Sequence, residues 1–146
     1  MFGDDVKVLE LSARTGGGSK HHLIRHVTGI DVIELFLNTV FQETYSIPLL
    51  ATDNMYYLMQ YVYSNPEVFG AIRGLYELCK DNTIEDYFQY KTKGMRINGC
   101  NNSGDRSLGF IVCDKNMEGV NRKLEKVRNT IVLESFSGDR LKLLFD

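Results

Sequence analysis

The chain has 146 residues, a length that favours one domain, or one domain with an appendage, over a multi-domain enzyme. Hydrophobic residues make up 43% and charged residues 25%, which is ordinary for a globular protein and excludes disordered, collagen-like and coiled-coil chains. The formal net charge is −2 and no run of Lys and Arg exceeds two residues, so nucleic acid is not an expected partner. Polar residues interrupt every long apolar stretch, so a membrane is not an expected partner either.

The cysteines and the first residues bear on the cellular compartment. Cys79, Cys100 and Cys113 are odd in number and scattered, which is typical of reduced thiols in a protein without disulfides. Asp4 and Asp5 make the first residues acidic, whereas a secretory signal begins with a basic region. The sequence therefore predicts a cytoplasmic protein with free thiols.

The first part of the chain is predicted to form a strand and then a helix. Residues 6–11 are rich in branched side chains and are typical of a strand, which leads into a glycine turn at 16–18. Ser19 is the expected N-cap of a helix over 20–27 that ends near Gly29.

A second helix is predicted to begin at Asp31 and to carry an apolar stripe. Its apolar residues recur at spacings i, i+3, i+4, i+7 and i+8, which is the period of one helix face. The residues of this apolar stripe are Ile33, Phe36, Leu37, Val40 and Phe41. Such a stripe predicts a helix that faces a hydrophobic core.

Beyond residue 54 the sequence predicts mostly strands, with one long helix among them. The expected strands cover 55–63, 84–91, 96–98, 108–113, 131–133 and 141–145. The other expected elements are a short helical turn over 75–80, a hairpin turn over 92–95 and a helix over 116–129. Helices that come first and strands that come later predict an α+β fold with a mostly antiparallel sheet and flanking helices.

The residues with the most potential for chemistry precede the glycine turn. Glu10, Ser12 and Arg14 alternate along the predicted strand, so their side chains share one face. Carboxylate and hydroxyl oxygens suit Mg²⁺, and a guanidinium suits phosphoryl oxygens. The glycines that follow allow backbone N–H groups to approach a ligand closely. The alternative is a polar strand face exposed to water, and spacing alone leaves both interpretations open.

Two further patterns near the turn carry weaker signals. The order Gly18-Ser19-Lys20 departs from the phosphate-binding P-loop, which requires Gly, four residues and then Gly-Lys-Ser/Thr. His22 and His26 lie one helical turn apart, but no third ligand stands at a known spacing. A solvated basic helix face is therefore favoured over a zinc site.

The aromatic and charged residues of the second half are predicted to be structural. Tyr61 and its neighbours are expected to be core or sheet-surface aromatics, because no basic groove surrounds them to favour base stacking. These tyrosines are Tyr56, Tyr57, Tyr61 and Tyr63. Asp105 and Arg106 are adjacent, and they either form a local ion pair or simply end a loop.

The segment over 10–18 resembles a motif of the ATP-grasp superfamily of carboxylate–amine ligases. In that family a late strand carries Glu-x-Asn-x-Arg, followed by glycines and a helix. Glu10 and Arg14 match this motif, and Ser12 stands in place of the Asn. Residues 27–32 (Val-Thr-Gly-Ile-Asp-Val) resemble the family's helix entry. Later segments are similar to the small C-terminal subdomain of the carbamoyl-phosphate-synthase-like and amino-acid-ligase-like branches, namely 93–94, 104–106 and the helix over 116–129.

The resemblance covers nearly the whole chain and implies how it is organised. Residues 1–46 would be the C-terminal portion of an ATP-grasp domain, with the metal–phosphate strand, the glycine turn and two helices. Residues 47–146 would be a small C-terminal α+β subdomain. The implied reaction proceeds through an acyl phosphate: ATP phosphorylates a small carboxylate substrate, and an amine then displaces the phosphate.

The resemblance also assigns roles to residues. Glu10 would ligate Mg²⁺ or Mn²⁺, and Ser12 would do so more weakly. Arg14 would be catalytic, because it holds the transferring phosphoryl oxygens and stabilises charge that develops in the transition state. The glycine turn would lie beside the acceptor substrate and ATP, and its residues are Gly16, Gly17 and Gly18.

One departure from the family pattern concerns what lies upstream. The family's nucleotide-binding Lys and its second acidic metal ligand precede this strand, so they would lie before Met1. The chain is therefore expected to be the C-terminal fragment of a ligase, inactive alone, that associates with the missing N-terminal part or as a homodimer. The alternative is a non-catalytic interaction or regulatory module derived from the same fold, which Ser12 favours.

Overall fold

The computed structural model describes residues 17–41, 44, 46 and 54–145. Its helices are α1 (Lys20–Thr28), α2 (Val32–Val40), α3 (Leu75–Lys80) and α4 (Met117–Thr130), with a 3₁₀ turn at Ser103–Asp105. Its strands are β1 (Tyr56–Ser64), β2 (Glu67–Arg73), β3 (Asp86–Gln89), β4 (Arg96–Ile97), β5 (Leu108–Asp114), β6 (Val132–Ser135) and β7 (Leu143–Phe145). The predicted α+β class is confirmed.

Two antiparallel sheets organise these strands. One sheet has the order β3-β5-β1-β7 and the other has the order β4-β2-β6. The pairing of β1 with β5 runs from Tyr56 opposite Asp114 to Val62 opposite Leu108. Every strand pair in the described ranges is antiparallel, as the sequence predicted.

Strand β2 is an element that the sequence analysis did not predict. Gly70 interrupts its apolar run, and a glycine in that position is typical of a loop. In the structure Gly70 lies where the pairing of β2 with β6 is irregular, between Phe69 and Ala71. A Cβ at Gly70 would lie 2.0 Å from the backbone oxygen of Ser135, so the close approach of these strands requires glycine.

The predicted turn over 92–95 forms, but it is not a hairpin turn. The N–H of Met95 donates to the carbonyl oxygen of Thr92 at 3.0 Å. Strand β3, which precedes the turn, pairs with β5, whereas β4, which follows it, pairs with β2. The turn therefore carries the chain from one sheet to the other.

Helix α4 covers the core that the two sheets share. Val120, Leu124 and Val127 fall at helical spacing, as predicted, and are buried. They belong to one cluster with Phe69 of the three-stranded sheet and Phe110 of the four-stranded sheet. Because burying a side chain of this size contributes roughly 1.5–3 kcal/mol, the cluster stabilises the packing of α4 on the sheets.

The ends of α1 and α2 lie near their predicted positions, although one predicted cap is wrong. Gly29 ends α1 in the left-handed conformation, with a φ of 72°. Asp31 caps α2 by accepting hydrogen bonds from the N–H groups of Glu34 and Ile33, and these bonds lower the pKa of Asp31. Ser19 makes no side-chain bond to α1, because its φ of 62° places it in the left-handed region instead of the extended one.

The apolar stripe of α2 does not face the core, contrary to the prediction. Ile33 is 46% exposed, Phe36 is 65% exposed and Phe41 is 70% exposed. Helix α2 packs mainly on α1, and none of its residues belongs to the core cluster. The helical period shows that one side of the helix is apolar, but what covers that side is decided by tertiary structure.

Three other features bear on the expectations from the sequence. None of the described helices is both long and apolar enough to cross a membrane. Cys79 is half-buried, Cys100 is exposed and Cys113 is buried. The division of the chain at residue 46 stays a prediction.

Candidate functional site

Only some of the predicted site residues are among those that the structure describes. Glu10, Ser12, Arg14 and Gly16 lie outside the described residues, so the metal–phosphate set stays a prediction. Gly17 and Gly18 are described and form the end of the glycine turn, immediately before α1. The structure therefore shows where this turn meets the rest of the fold.

Two tyrosine hydroxyls fasten the end of the glycine turn to the four-stranded sheet. The hydroxyl of Tyr61, on β1, donates to the carbonyl oxygen of Gly18 at 2.5 Å. The hydroxyl of Tyr90, one residue after β3, donates to Oγ of Ser19 at 2.9 Å. Gly18 and Ser19 both have positive φ values, 74° and 62°, and together they turn the chain into α1. The two anchors fix that turn against the sheet.

Arg106 lies against the same turn. Its guanidinium carbon is 3.8 Å from the centroid of the Tyr61 ring, within the range of a cation–π contact. Its Nε donates to the hydroxyl of Tyr63 at 3.3 Å. A Cβ at Gly18 would lie 2.4 Å from Nη1 of Arg106, so the absence of a side chain at Gly18 allows the cation to reach the backbone.

Gly109 of β5 makes room for two of the tyrosine rings. It lies opposite Tyr61 in the pairing of β1 with β5. A Cβ at Gly109 would lie 3.1 Å from Cδ1 of Tyr61 and 3.2 Å from Cε2 of Tyr90. The rings of Tyr61 and Tyr90 are therefore seated over a glycine, with their centroids 6.4 Å apart.

The loop that carries Arg106 is held by buried polar groups. Lys91 is 7% exposed, and its Nζ donates to the carbonyl oxygen of Gly104 at 2.8 Å. Asp105 is 2% exposed, and its Oδ1 accepts hydrogen bonds from the backbone N–H and Nδ2 of Asn98 at 3.4 and 3.3 Å. Asp105 thus bonds to Asn98, and no ion pair with Arg106 forms. These bonds restrict the part of the loop that immediately precedes Arg106.

The histidines of α1 dock the helix on the sheet and are not simply a solvated face. Nδ1 of His22 and Nε2 of His26 lie 3.3 and 3.5 Å from the same Oδ2 of Asp86, the first residue of β3. The ring centroids of His22 and Phe88 are 4.2 Å apart. Burial, together with the neighbouring His21, lowers the pKa of His22. Among the described residues no group of His, Cys, Asp and Glu side chains is arranged to hold a metal ion.

The comparisons with known proteins address the fold. No protein-family model matches the sequence, and no curated protein is significantly similar to it. The structure is similar to phosphoribosylglycinamide synthetase from Anaerococcus prevotii, with a TM-score of 0.64 and 18% identity over 77% of this chain. It is also similar to L-amino acid ligase from Bacillus licheniformis, with a TM-score of 0.61 and 17% identity over 82% of this chain.

Both of these proteins are ATP-grasp enzymes. The chain shares its fold with part of each of these two enzymes. It spans 29% of the length of the synthetase and 30% of the length of the ligase, so it corresponds to less than a third of either enzyme. The resemblance expected from the motif around the glycine turn is confirmed at the level of the fold.

Sequence reasoning missed the residues that receive the glycine turn. Tyr61 and Tyr63 are two positions apart on a strand and therefore share a face, a signal that could have grouped them. Arg106 lies 43 residues after Tyr63, and Tyr90 lies 71 residues after Ser19. No local pattern links residues that far apart.

Proposed function

We propose that the chain is the C-terminal part of an ATP-dependent ligase that joins a small carboxylate to an amine through an acyl phosphate. The observation that supports this most is the seating of the glycine turn. In a fold shared with two ATP-grasp ligases, the turn that follows the Glu10-x-Ser12-x-Arg14 pattern is fastened to the sheet by Tyr61 and Tyr90. A loop held at its end in this way is suited to positioning substrate groups.

The residues before the turn supply the chemistry in this proposal. Glu10 and Ser12 offer hard oxygen donors, a set that fits Mg²⁺ or Mn²⁺. The bound metal would neutralise charge on the phosphates of ATP. Arg14 would hold the phosphoryl oxygens during transfer to the carboxylate, where a fixed guanidinium stabilises developing negative charge.

The glycine turn would accommodate the acceptor side of the reaction. Gly16, Gly17 and Gly18 have no side chains, so a substrate is able to approach their backbone N–H groups. A Cβ at Gly17 would meet no atom within 4 Å, so no described side chain blocks the approach of a substrate to this residue. The acyl phosphate would then be attacked by the amine beside the turn, and phosphate would leave.

The test uses this chain joined to the remaining parts of the ATP-grasp fold, either in one polypeptide or as a reconstituted complex. ATP consumption should require both a carboxylate and an amine, and Glu10→Gln should lower the rate by about 10²–10³ because a metal ligand is lost. Arg14→Ala should have an effect of similar size. The matched control is Glu118→Gln on α4, because the side chain of Glu118 is 84% exposed and pairs only with Arg122 among the described residues.

Two results would count against the ligase proposal. Wild-type turnover in the Glu10→Gln enzyme would contradict the metal assignment. A complete assembly that forms stably but consumes no ATP would instead support the non-catalytic module, the reading that Ser12 in place of Asn favours.

A further inference from the structure

Arg106 is a half-buried cation without an acidic partner in the described part of the chain. No carboxylate there lies within ion-pair distance of its guanidinium. Its one hydrogen bond within those residues is from Nε to Tyr63. The N–H groups on Nη1 and Nη2 donate to no described residue, although a guanidinium carries five donors.

The orientation of the guanidinium is nevertheless fixed. One face lies on the ring of Tyr61, and Nε is held by Tyr63. Nη1 lies beside the backbone of Gly18, where a Cβ would be 2.4 Å from Nη1 and 3.3 Å from Cζ. Two N–H groups presented side by side match the two oxygens of a carboxylate or phosphate.

The electrostatic surroundings favour an anion at this edge. Lys91 is buried, its Nζ donates to the carbonyl oxygen of Gly104 in the loop before Arg106, and within the described ranges no carboxylate pairs with it. The turn leads into α1, whose first turn contains no acidic residue. The adjacent Asp105 accepts hydrogen bonds from Asn98 through Oδ1. No described acidic group competes for the free edge of Arg106.

We infer that Arg106 binds an oxyanion of the ligase substrates beside Gly18, as a second cationic contact separate from Arg14. The inference rests on the proposed function and names the substrate chemistry at this site: a carboxylate or phosphoryl group that receives two hydrogen bonds from Nη1 and Nη2. Tyr61 and Tyr63 position the guanidinium for that contact.

The inference is tested by titrating the ¹⁵N-labelled chain with acetate and, separately, with inorganic phosphate at constant ionic strength. The Nε–Hε signal of Arg106 and the amide signal of Gly18 should move together and saturate with at least one of the two anions. Tighter binding of acetate identifies a carboxylate as the ligand, and tighter binding of phosphate identifies a phosphoryl group. Arg106→Gln should weaken the binding at least about tenfold, and Arg106→Lys should restore only part of it.

A matched control separates this effect from general loss of charge. Arg128 of α4 also lies over an aromatic ring, that of Phe145, at 5.3 Å, but it is paired with Glu125. Arg128→Gln should therefore leave the affinity unchanged. Tyr63→Phe keeps the charge of Arg106 and removes the bond to Nε, so it should weaken binding by about two- to fivefold.

Failure of this inference is distinguishable from failure of the proposed function. Shifts that grow without saturation for both anions, or shifts that Arg106→Gln leaves unchanged, would overturn the anion site. ATP consumption by the complete assembly does not enter this measurement, so the ligase proposal would stand or fall separately. Backbone spectra of each variant verify that the fold is retained.

Discussion

The substitution Gly18→Ala should destabilise the protein by more than its backbone conformation explains. At a φ of 74°, an alanine costs roughly 1–2 kcal/mol. The new Cβ would also lie 2.4 Å from Nη1 of Arg106 and 2.8 Å from the hydroxyl of Tyr61, so both side chains must move. Losing the cation–π contact costs about 0.5–1 kcal/mol and losing the hydrogen bond costs about 0.5–1.5 kcal/mol. The expected loss in free energy of unfolding is roughly 2–4.5 kcal/mol.

Gly29→Ala is the matched control for this prediction. Gly29 has nearly the same φ, 72°, but a Cβ there would meet no atom within 4 Å. Its substitution should therefore cost only the conformational part, roughly 1–2 kcal/mol. Urea unfolding followed by circular dichroism measures both losses. In an Arg106→Ala background the excess cost at Gly18 should shrink, and equal losses for Gly18→Ala and Gly29→Ala would refute the crowding derived from the structure.

The remaining predictions concern catalysis, pH and the exposed helix. The 146-residue chain alone should hydrolyse no ATP above background, because phosphoryl transfer requires several metal ligands at once; metal-dependent turnover removed by Glu10→Ala would contradict this. Because the pKa of His22 is lowered in the folded state, the unfolded chain binds more protons than the folded chain at mildly acidic pH. Stability should therefore fall as the pH drops below about 6.5, the ordinary pKa of histidine. The fall in melting temperature between about pH 7.5 and about pH 5.5 should be smaller in His22→Gln, and an identical fall would exclude His22 as a source. Phe36→Ala should change the free energy of unfolding by less than about 0.5 kcal/mol because Phe36 is exposed, whereas Leu124→Ala should cost about 2–5 kcal/mol; a large loss at Phe36 would show that its side chain is covered.

Elements with strong local patterns are those that the sequence predicts best. Helix α4 combines an Asn116 cap, whose Oδ1 accepts from the N–H of Gly119 at 2.8 Å, with apolar residues at helical spacing. Strands β1 and β5 are dense in aromatic and branched residues, and both form as predicted. These signals depend on neighbours within one or two turns of the chain, so the sequence contains them directly.

Features that depend on distant contacts could not be predicted in the same way. In the sequence Gly70 is typical of a loop, and only the structure shows that the backbone of Ser135 lies against it. The turn over 92–95 reverses the chain, but nothing local shows that the strands on its two sides join different sheets. The apolar residues of α2 likewise indicate a helix face without indicating its cover.

The candidate site shows the same division. The motif around Glu10, Ser12 and Arg14 identifies a chemical pattern and a family resemblance from sequence alone. The seat of the glycine turn is built from Tyr61, Tyr90 and Arg106, which come from three separate segments. These three residues come together because the strands pair. The sequence pattern therefore predicted the turn, but only the structure shows which residues contact it.

The most direct test of the ligase account is the place where Mn²⁺ binds in the presence of ATP. Mn²⁺ broadens nuclear magnetic resonance signals near it, and it occupies oxygen sites of the kind that Mg²⁺ uses. With substoichiometric Mn²⁺ and excess ATP, the amide signals of Gly17 and Gly18 should broaden first, and Glu10→Gln should remove this effect while Glu118→Gln preserves it. Broadening that is spread over surface carboxylates, or that persists unchanged in Glu10→Gln, would contradict a metal–phosphate site beside the glycine turn.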